Sequence, residues 1–330
     1  MFSRSHTFRI SILLLLSFCF LSTACGQGTS TTTGPQVKPT PTVAFDYYGT
    51  PIAFPKSAPE RIISFVPSTS EILGALHLQS RVVGVDYYTT YPRELASITK
   101  VSDVNGKFNI EQIVALKPDL ILSYGGQTKE YDSQLKNLGL RVVDLPFSNL
   151  SQTLQQILLI GRLTFTESTA VALVEQLQQQ IKTIKAAVAG TTAPRVLLEV
   201  DDSTPGKPFV FGGGSFGDEL LQDAKGINIF HGNSSNGGYP QVTDEVIIAA
   251  NPQFVILTED PAYGGKPALV YQRSNWNNID ALKLHQVYRI NVNIMQHPGP
   301  RLVEGLHCLA QIIHPDKFSG PLPDYCSGTV

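Results

Sequence analysis

A helix-then-strand pattern occurs twice in this chain. Residues 111–122 begin with Glu111, continue as an apolar helical stretch, reach Pro118 seven positions on and enter an apolar strand. Residues 245–256 repeat the scheme with Glu245 and Pro252. A recurrence of this kind restricts the chain to a fold with two related halves. The match spreads outward. The strand pattern at 61–66 corresponds to that at 195–200, and a helix over 71–76, preceded by a turn at 67–70, corresponds to one over 215–221. Further strands are predicted at 81–85, 119–122 and 141–145, with a helix over 110–116. Strands alternating with helices imply βα units and mostly parallel sheets.

Between the halves, residues 167–189 contain no glycine or proline, and Val171, Val174, Leu177, Ile181 and Ile184 recur at helical spacing. Uninterrupted, that segment would reach about 34 Å. The fold class expected is therefore α/β, two βα lobes with mostly parallel sheets joined by a single long helix. The expected boundaries are a signal peptide at 1–24, a lipidated N-terminus and tether at 25–43, and an N-terminal lobe at 44–165. A bridging helix at 166–190 and a C-terminal lobe with its tail at 191–330 complete the chain.

The first segment follows from its own chemistry. Arg4 and Arg9 precede a nearly all-apolar run at 10–20, short for a membrane span and suited to a secretory signal. Small residues then lead into Cys25, as in a bacterial lipobox, although Ser22 stands where leucine is usual. Residues 27–42 are chiefly Gly, Ser, Thr, Pro and Gln, a flexible spacer. Export and lipid anchoring at the outer face of the cytoplasmic membrane are expected. Of the four cysteines, Cys19 lies in the signal and Cys25 would carry the lipid. Cys308 and Cys326 remain as a pair in an oxidising compartment and are expected to form a disulfide. With 25 Lys+Arg against 27 Asp+Glu, the chain lacks the basic excess of a nucleic-acid binder.

Several motifs bear on chemistry. Gly213-Gly214-Ser215-Phe216-Gly217 satisfies the nucleophile-elbow pattern, with His231, His285 or His297 as later bases. The same residues suit a plain capped helix, and Gly212 to Gly214 suit an anion cradle. No HExxH or CxxC is present, so neither a metal nor a cofactor is expected. Tyrosines gather beyond predicted strand ends, where open α/β sheets bind ligands: Tyr87, Tyr88 and Tyr91 after one strand, Tyr124 after another, and Tyr239 before Pro240. Glu111 and Glu245 each follow a capping residue, Asn109 or Thr243, so the helix dipole stabilises them.

Segments 61–73, 83–92, 109–119 and 238–242 resemble the cobalamin-binding branch of the periplasmic substrate-binding proteins, which serve vitamin B12 and iron-siderophore ABC importers. The resemblance covers nearly all of 61–315. It implies the class III fold of that family, with aromatic side chains lining an inter-lobe cleft. Tyr88, Tyr124 and Tyr239 match such positions, Phe209 lies in a corresponding stretch, and Val104 replaces an aromatic residue. Glu111 and Glu245 match glutamates that dock onto permease arginines. The resemblance implies a monomeric receptor without catalytic residues, partnered by a permease dimer with its ATPase subunits. Its transported ligand would be cobalamin or a related corrinoid. A haem or ferric-siderophore receptor is the alternative within the fold, and a secreted serine hydrolase using Ser215 the alternative outside it.

Overall fold

The computed structural model describes residues 43–146, 149–262 and 264–328. The signal segment, Cys25 and the tether up to residue 42 lie outside the described residues.

Four short apolar strands build the first sheet. β1 (Ile62–Ser64) leads into helix α1 (Pro67–Ala75), followed by β2 (Val82–Val85), α2 (Ile110–Ala115), β3 (Leu120–Tyr124) and β4 (Val142–Leu145). All neighbours are parallel in the order β2-β1-β3-β4, with Ile62 opposite Leu120 and Ser64 opposite Leu122. The structure corrects one expectation here. Residues 67–70 are the first turn of α1, not a loop before it, because Pro67 at the first helical position needs no N–H partner and presets φ. Helix α3 (Leu150–Thr164) follows behind a capping box, in which the Asn149 and Gln152 side chains each accept from the other's backbone N–H.

Helix α4 (Glu167–Val188) runs 22 residues, about 33 Å, and packs along α3. Its buried stripe is Ala170, Val174, Leu177, Ile184 and Val188, whereas the predicted Val171 faces solvent. Ala170 sits where Gly161 of α3 leaves room: a Cβ on that glycine would lie 2.4 Å from the alanine methyl.

The second half repeats the scheme with one irregular edge. β5 (Arg195–Asp201) pairs antiparallel with β6 (Phe209–Val210), and α5 (Phe216–Asp223) follows. β7 (Ile227–Asn228) pairs with the start of β5, and α6 (Asp244–Ala250) leads into β8 (Phe254–Leu257), which pairs parallel with β5. β9 (Val287–Arg289) closes the far edge, and α7 (Leu302–Ile313) packs against α4 and α5. The repeated units thus occupy equivalent places: α2–β3 beside β1, and α6–β8 beside β5.

One hydrophobic core spans both halves. It runs from Ile62, Ile72 and Leu122 through Leu158, Val174 and Leu177 to Leu198, Phe211 and Leu306. Polar ties cross with it. The Leu150 N–H donates to Glu219 Oε2 at 2.9 Å, the Thr153 hydroxyl donates to the Pro298 carbonyl at 3.4 Å, and Arg301 Nη2 donates to Glu71 Oε1 at 2.5 Å. Cys308 of α7 is disulfide-bonded to Cys326, 18 positions on. Closing a loop of that size constrains the unfolded chain by roughly 3 kcal/mol. Among the described residues no helix is long and apolar enough to cross a membrane.

Candidate functional site

Beyond the carboxyl ends of the strands lies a cavity of about 760 Å³, walled by both halves. That volume falls in the range of small-molecule sites. The first half contributes Val66 to Ser68 at the start of α1, Tyr124 at the last position of β3, and Asn149 and Gln152 at the start of α3. Tyr124 is thus a strand residue, not the first of a loop, because β3 keeps pairing with β4 past Leu122, with Ser123 opposite Asp144 and Tyr124 opposite Leu145. The second half contributes Ser215 and Phe216, Asn236 and Tyr239, and Gln296 to Pro298.

Tyr239 is held by aromatic neighbours, its ring 5.5 Å from Phe211 and 6.2 Å from Phe216. Burial, then the nearby Tyr124 phenol, raises its pKa, so the hydroxyl stays neutral and can donate. Asn236 adopts a left-handed conformation and donates its side-chain N–H to the Tyr239 carbonyl at 3.0 Å. Gln296 is fixed from behind: Nε2 donates to Val200 O and Thr258 O, both at 3.0 Å, at the ends of β5 and β8. Among the described residues the wall carries no Lys, Arg, Asp or Glu.

The structure brings together only part of the predicted set. Tyr124 and Tyr239 share the cavity. Tyr88 does not line it; the ring is half-exposed and its hydroxyl donates to the Val104 carbonyl at 2.6 Å. Its loop is pinned by buried Asp86, which accepts from the Tyr88 N–H at 2.8 Å. Phe209 does not line it either. It opens β6, with Asp201 opposite on one side and Gln241 on the other, at the sheet edge.

The glycine motif serves packing. A Cβ on Gly212 would lie 2.2 Å from the Asn233 carbonyl, and one on Gly213 would lie 2.0 Å from the His231 carbonyl. Gly212 N–H donates to Gly238 O and Gly213 N–H to Asn233 O, so neither is left to cradle an anion. Ser215 is buried as the α5 cap. Its hydroxyl donates to Gly212 O at 2.7 Å and accepts from the Asp218 N–H at 3.2 Å. A nucleophile would need its proton taken by a base; here a backbone carbonyl holds it. His231 is committed elsewhere, with Nδ1 2.9 Å from Asp218 Oδ2.

Glu111 and Glu245 are both exposed, each second in its helix. Asn109 caps α2 by accepting from the Gln112 N–H at 3.0 Å. Thr243 makes no such cap; its hydroxyl serves the Glu245 carboxylate and lowers that group's pKa.

The sequence reading passed over the amides Asn149, Gln152 and Gln296, and it named His297 as a base for Ser215, whereas the structure sets it on the cavity wall. The capping-box spacing Asn149–Gln152 was the one local signal available. The cavity face of residues 296–298 is set by contacts with Thr258, Val200 and Thr153, 38 to 145 positions away, and has no local signal.

Comparison with known proteins agrees with this architecture. The family model described as periplasmic binding protein matches residues 62–293. The chain is 32% identical over 273 residues to an uncharacterized ABC transporter substrate-binding lipoprotein of Bacillus subtilis, covering 80% of this chain and 82% of that one. It is 28% identical over 264 residues to a cobalamin-binding protein of Halobacterium salinarum, covering 78% and 70%. Among solved structures, a possible iron-binding (periplasmic solute-binding) protein from Staphylococcus epidermidis superposes with a TM-score of 0.69 at 28% identity, covering 78% of this chain and all of that one. Two repeated α/β halves around one long helix, with a ligand-sized cavity at their junction and a matching family model over most of the chain, make this a member of the periplasmic binding protein family.

Proposed function

We propose that this chain captures cobalamin or a related corrinoid for an ABC importer. In this reading residues 44–165 and 191–330 act as lobes about the 166–190 helix. Cys25 anchors the exported monomer to the outer face of the cytoplasmic membrane, and residues 25–43 form its tether. The names of the Bacillus and Halobacterium relatives support the class of function. The observation that carries the choice of ligand is the uncharged, amide-rich wall. Haem presents two carboxylates and many ferric siderophores are anionic, ligands that call for arginine or lysine. A corrinoid presents a broad apolar ring rimmed by neutral amides, which suits tyrosine faces and side-chain amides.

Native mass spectrometry after exposure to cyanocobalamin, haemin and a set of ferric siderophores tests this. One cyanocobalamin per chain is the expected result, and selective retention of haemin would overturn it, with His297 then the first iron ligand to examine. Alanine at Tyr124 and Tyr239 together should weaken cyanocobalamin binding by at least about tenfold, a loss of about 1.4 kcal/mol, read by calorimetry at high salt. Tyr88→Ala should contribute a smaller loss, its ring lying outside the cavity wall.

Glu111 and Glu245 are proposed to dock onto arginines of a permease dimer, one carboxylate for each subunit. Exposed charges of this kind govern encounter and orientation more than affinity. Lysine at both positions should abolish association with the permease while leaving ligand affinity unchanged. Undiminished association in the double variant would eliminate the role.

A further inference from the structure

We propose that Asn149, Gln152 and Gln296 form a preset reader of carboxamide groups, in which two amides present only donors to the cavity and the third presents only an acceptor. The inference rests on the reading of the cavity as a corrinoid site and assigns which atoms of that site select the ligand.

Each side-chain amide has one carbonyl oxygen and one NH2 group, and free rotation would let it present either. Here neighbouring groups fix the choice. Asn149 Oδ1 accepts from the Gln152 N–H at 2.9 Å, and Gln152 Oε1 accepts from the Asn149 N–H at 3.0 Å. A backbone N–H can only donate, so both oxygens must face the helix end. The two NH2 groups, Asn149 Nδ2 and Gln152 Nε2, have no partner among the described residues, and both side chains line the cavity.

Gln296 is oriented oppositely by the same logic. Its two N–H bonds point to carbonyl oxygens, Val200 O and Thr258 O, which can only accept. What remains for the cavity is Oε1. At these three residues the first half of the wall offers hydrogens and the second half offers an oxygen.

A primary carboxamide is the group that satisfies both kinds of wall: its oxygen accepts from Asn149 or Gln152, and its NH2 donates to Gln296. A carboxylate can meet the donors but has no hydrogen for Gln296 Oε1, leaving one acceptor facing another. Once a bound ligand covers these groups, an unmatched polar contact costs more than a matched one contributes, so the pattern excludes acids more than it strengthens amides.

The test uses atom-for-atom changes that spare the fold. Asn149→Asp and Gln152→Glu keep the oxygen that caps α3, since Asp at the cap and Glu three residues on are both favoured there. Each exchanges one NH2 for an oxygen. Calorimetric titrations of wild type and both variants with cyanocobalamin, and with derivatives in which one ring amide is hydrolysed to a carboxylate, give the readout at high ionic strength. The expected result is an unchanged melting temperature and about tenfold weaker cyanocobalamin binding in each variant. In the wild type the acid derivatives should bind less tightly than the parent. Variants that bind cyanocobalamin as the wild type does would overturn the reader while leaving the corrinoid function standing. A wild type that binds no corrinoid overturns both. If either variant melts early, the wild-type preference for parent over acid derivatives decides the matter alone, and equal affinity for the two overturns the proposal.

Discussion

Replacing Glu71 with alanine is expected to destabilise the protein by about 3–5 kcal/mol, the range for removing one partner of a buried ion pair. Glu71 is buried on α1, and Arg301, just before α7, is largely buried beside it. The guanidinium stacks over the Tyr91 ring, 4.0 Å from its centroid, and its Nε has no partner among the described residues. The loop bearing Arg301 closes tightly on this pair: a Cβ on Gly299 would lie 2.9 Å from Glu71 Oε2. The variant would leave the largely buried Arg301 charge between the halves without its carboxylate partner. Removing both charges, with Glu71→Gln and Arg301→Met, should recover most of the loss. Urea unfolding of Glu71→Gln, Arg301→Met and the double variant forms the cycle, with Glu71→Ala measured beside it. A loss below about 1 kcal/mol in Glu71→Ala, the level of an exposed pair, would show that the pair holds nothing.

Glu259→Gln should stabilise the protein at pH 8 by up to about 3 kcal/mol and leave it unchanged at pH 4. The Glu259 side chain is buried just past β8, and Oε1 has no partner among the described residues. Burial raises its pKa to about 7; the Asp202 N–H bond to Oε2 opposes this, and the charges of Glu199, Asp202 and Asp201 add to the rise. The sign follows from the direction. A carboxyl with a folded pKa above its unfolded value gives stability that is fully present below about pH 4.5 and is lost as pH rises through about 7. Glutamine keeps an oxygen for the Asp202 N–H and never ionises, so it mimics the protonated form throughout. Unfolding free energies of both proteins from pH 4 to pH 8 should converge at the acid end. Parallel curves would refute the assignment.

Much of the fold was legible because it is written in periodicity. The duplicated glutamate-to-proline unit marked α2–β3 and α6–β8, and both landed beside the first strand of their sheets. The long glycine-free segment became α4 within a residue of its expected ends. What local pattern misled on was the use of residues and not their type. Gly212 and Gly213 admit an elbow, a cradle or a turn in sequence, and the carbonyls of Asn233 and His231, folded back against them, decide for close packing. For the cavity, Tyr124 and Tyr239 could be found because aromatic residues beyond strands are conspicuous. Gln296 could not, because its orientation depends on the ends of two strands far away in sequence.

The core that runs unbroken through both halves has a kinetic meaning. The two walls are held at their separation before anything enters, so capture immobilises little of the protein, and less of the binding energy is lost to ordering. Differences among cargoes would then appear chiefly in dwell time, as they do for most interfaces of fixed shape. For a receptor of the proposed kind, release becomes the demanding step. With the walls joined by that shared core, the work of opening them would fall to the transporter that receives the cargo.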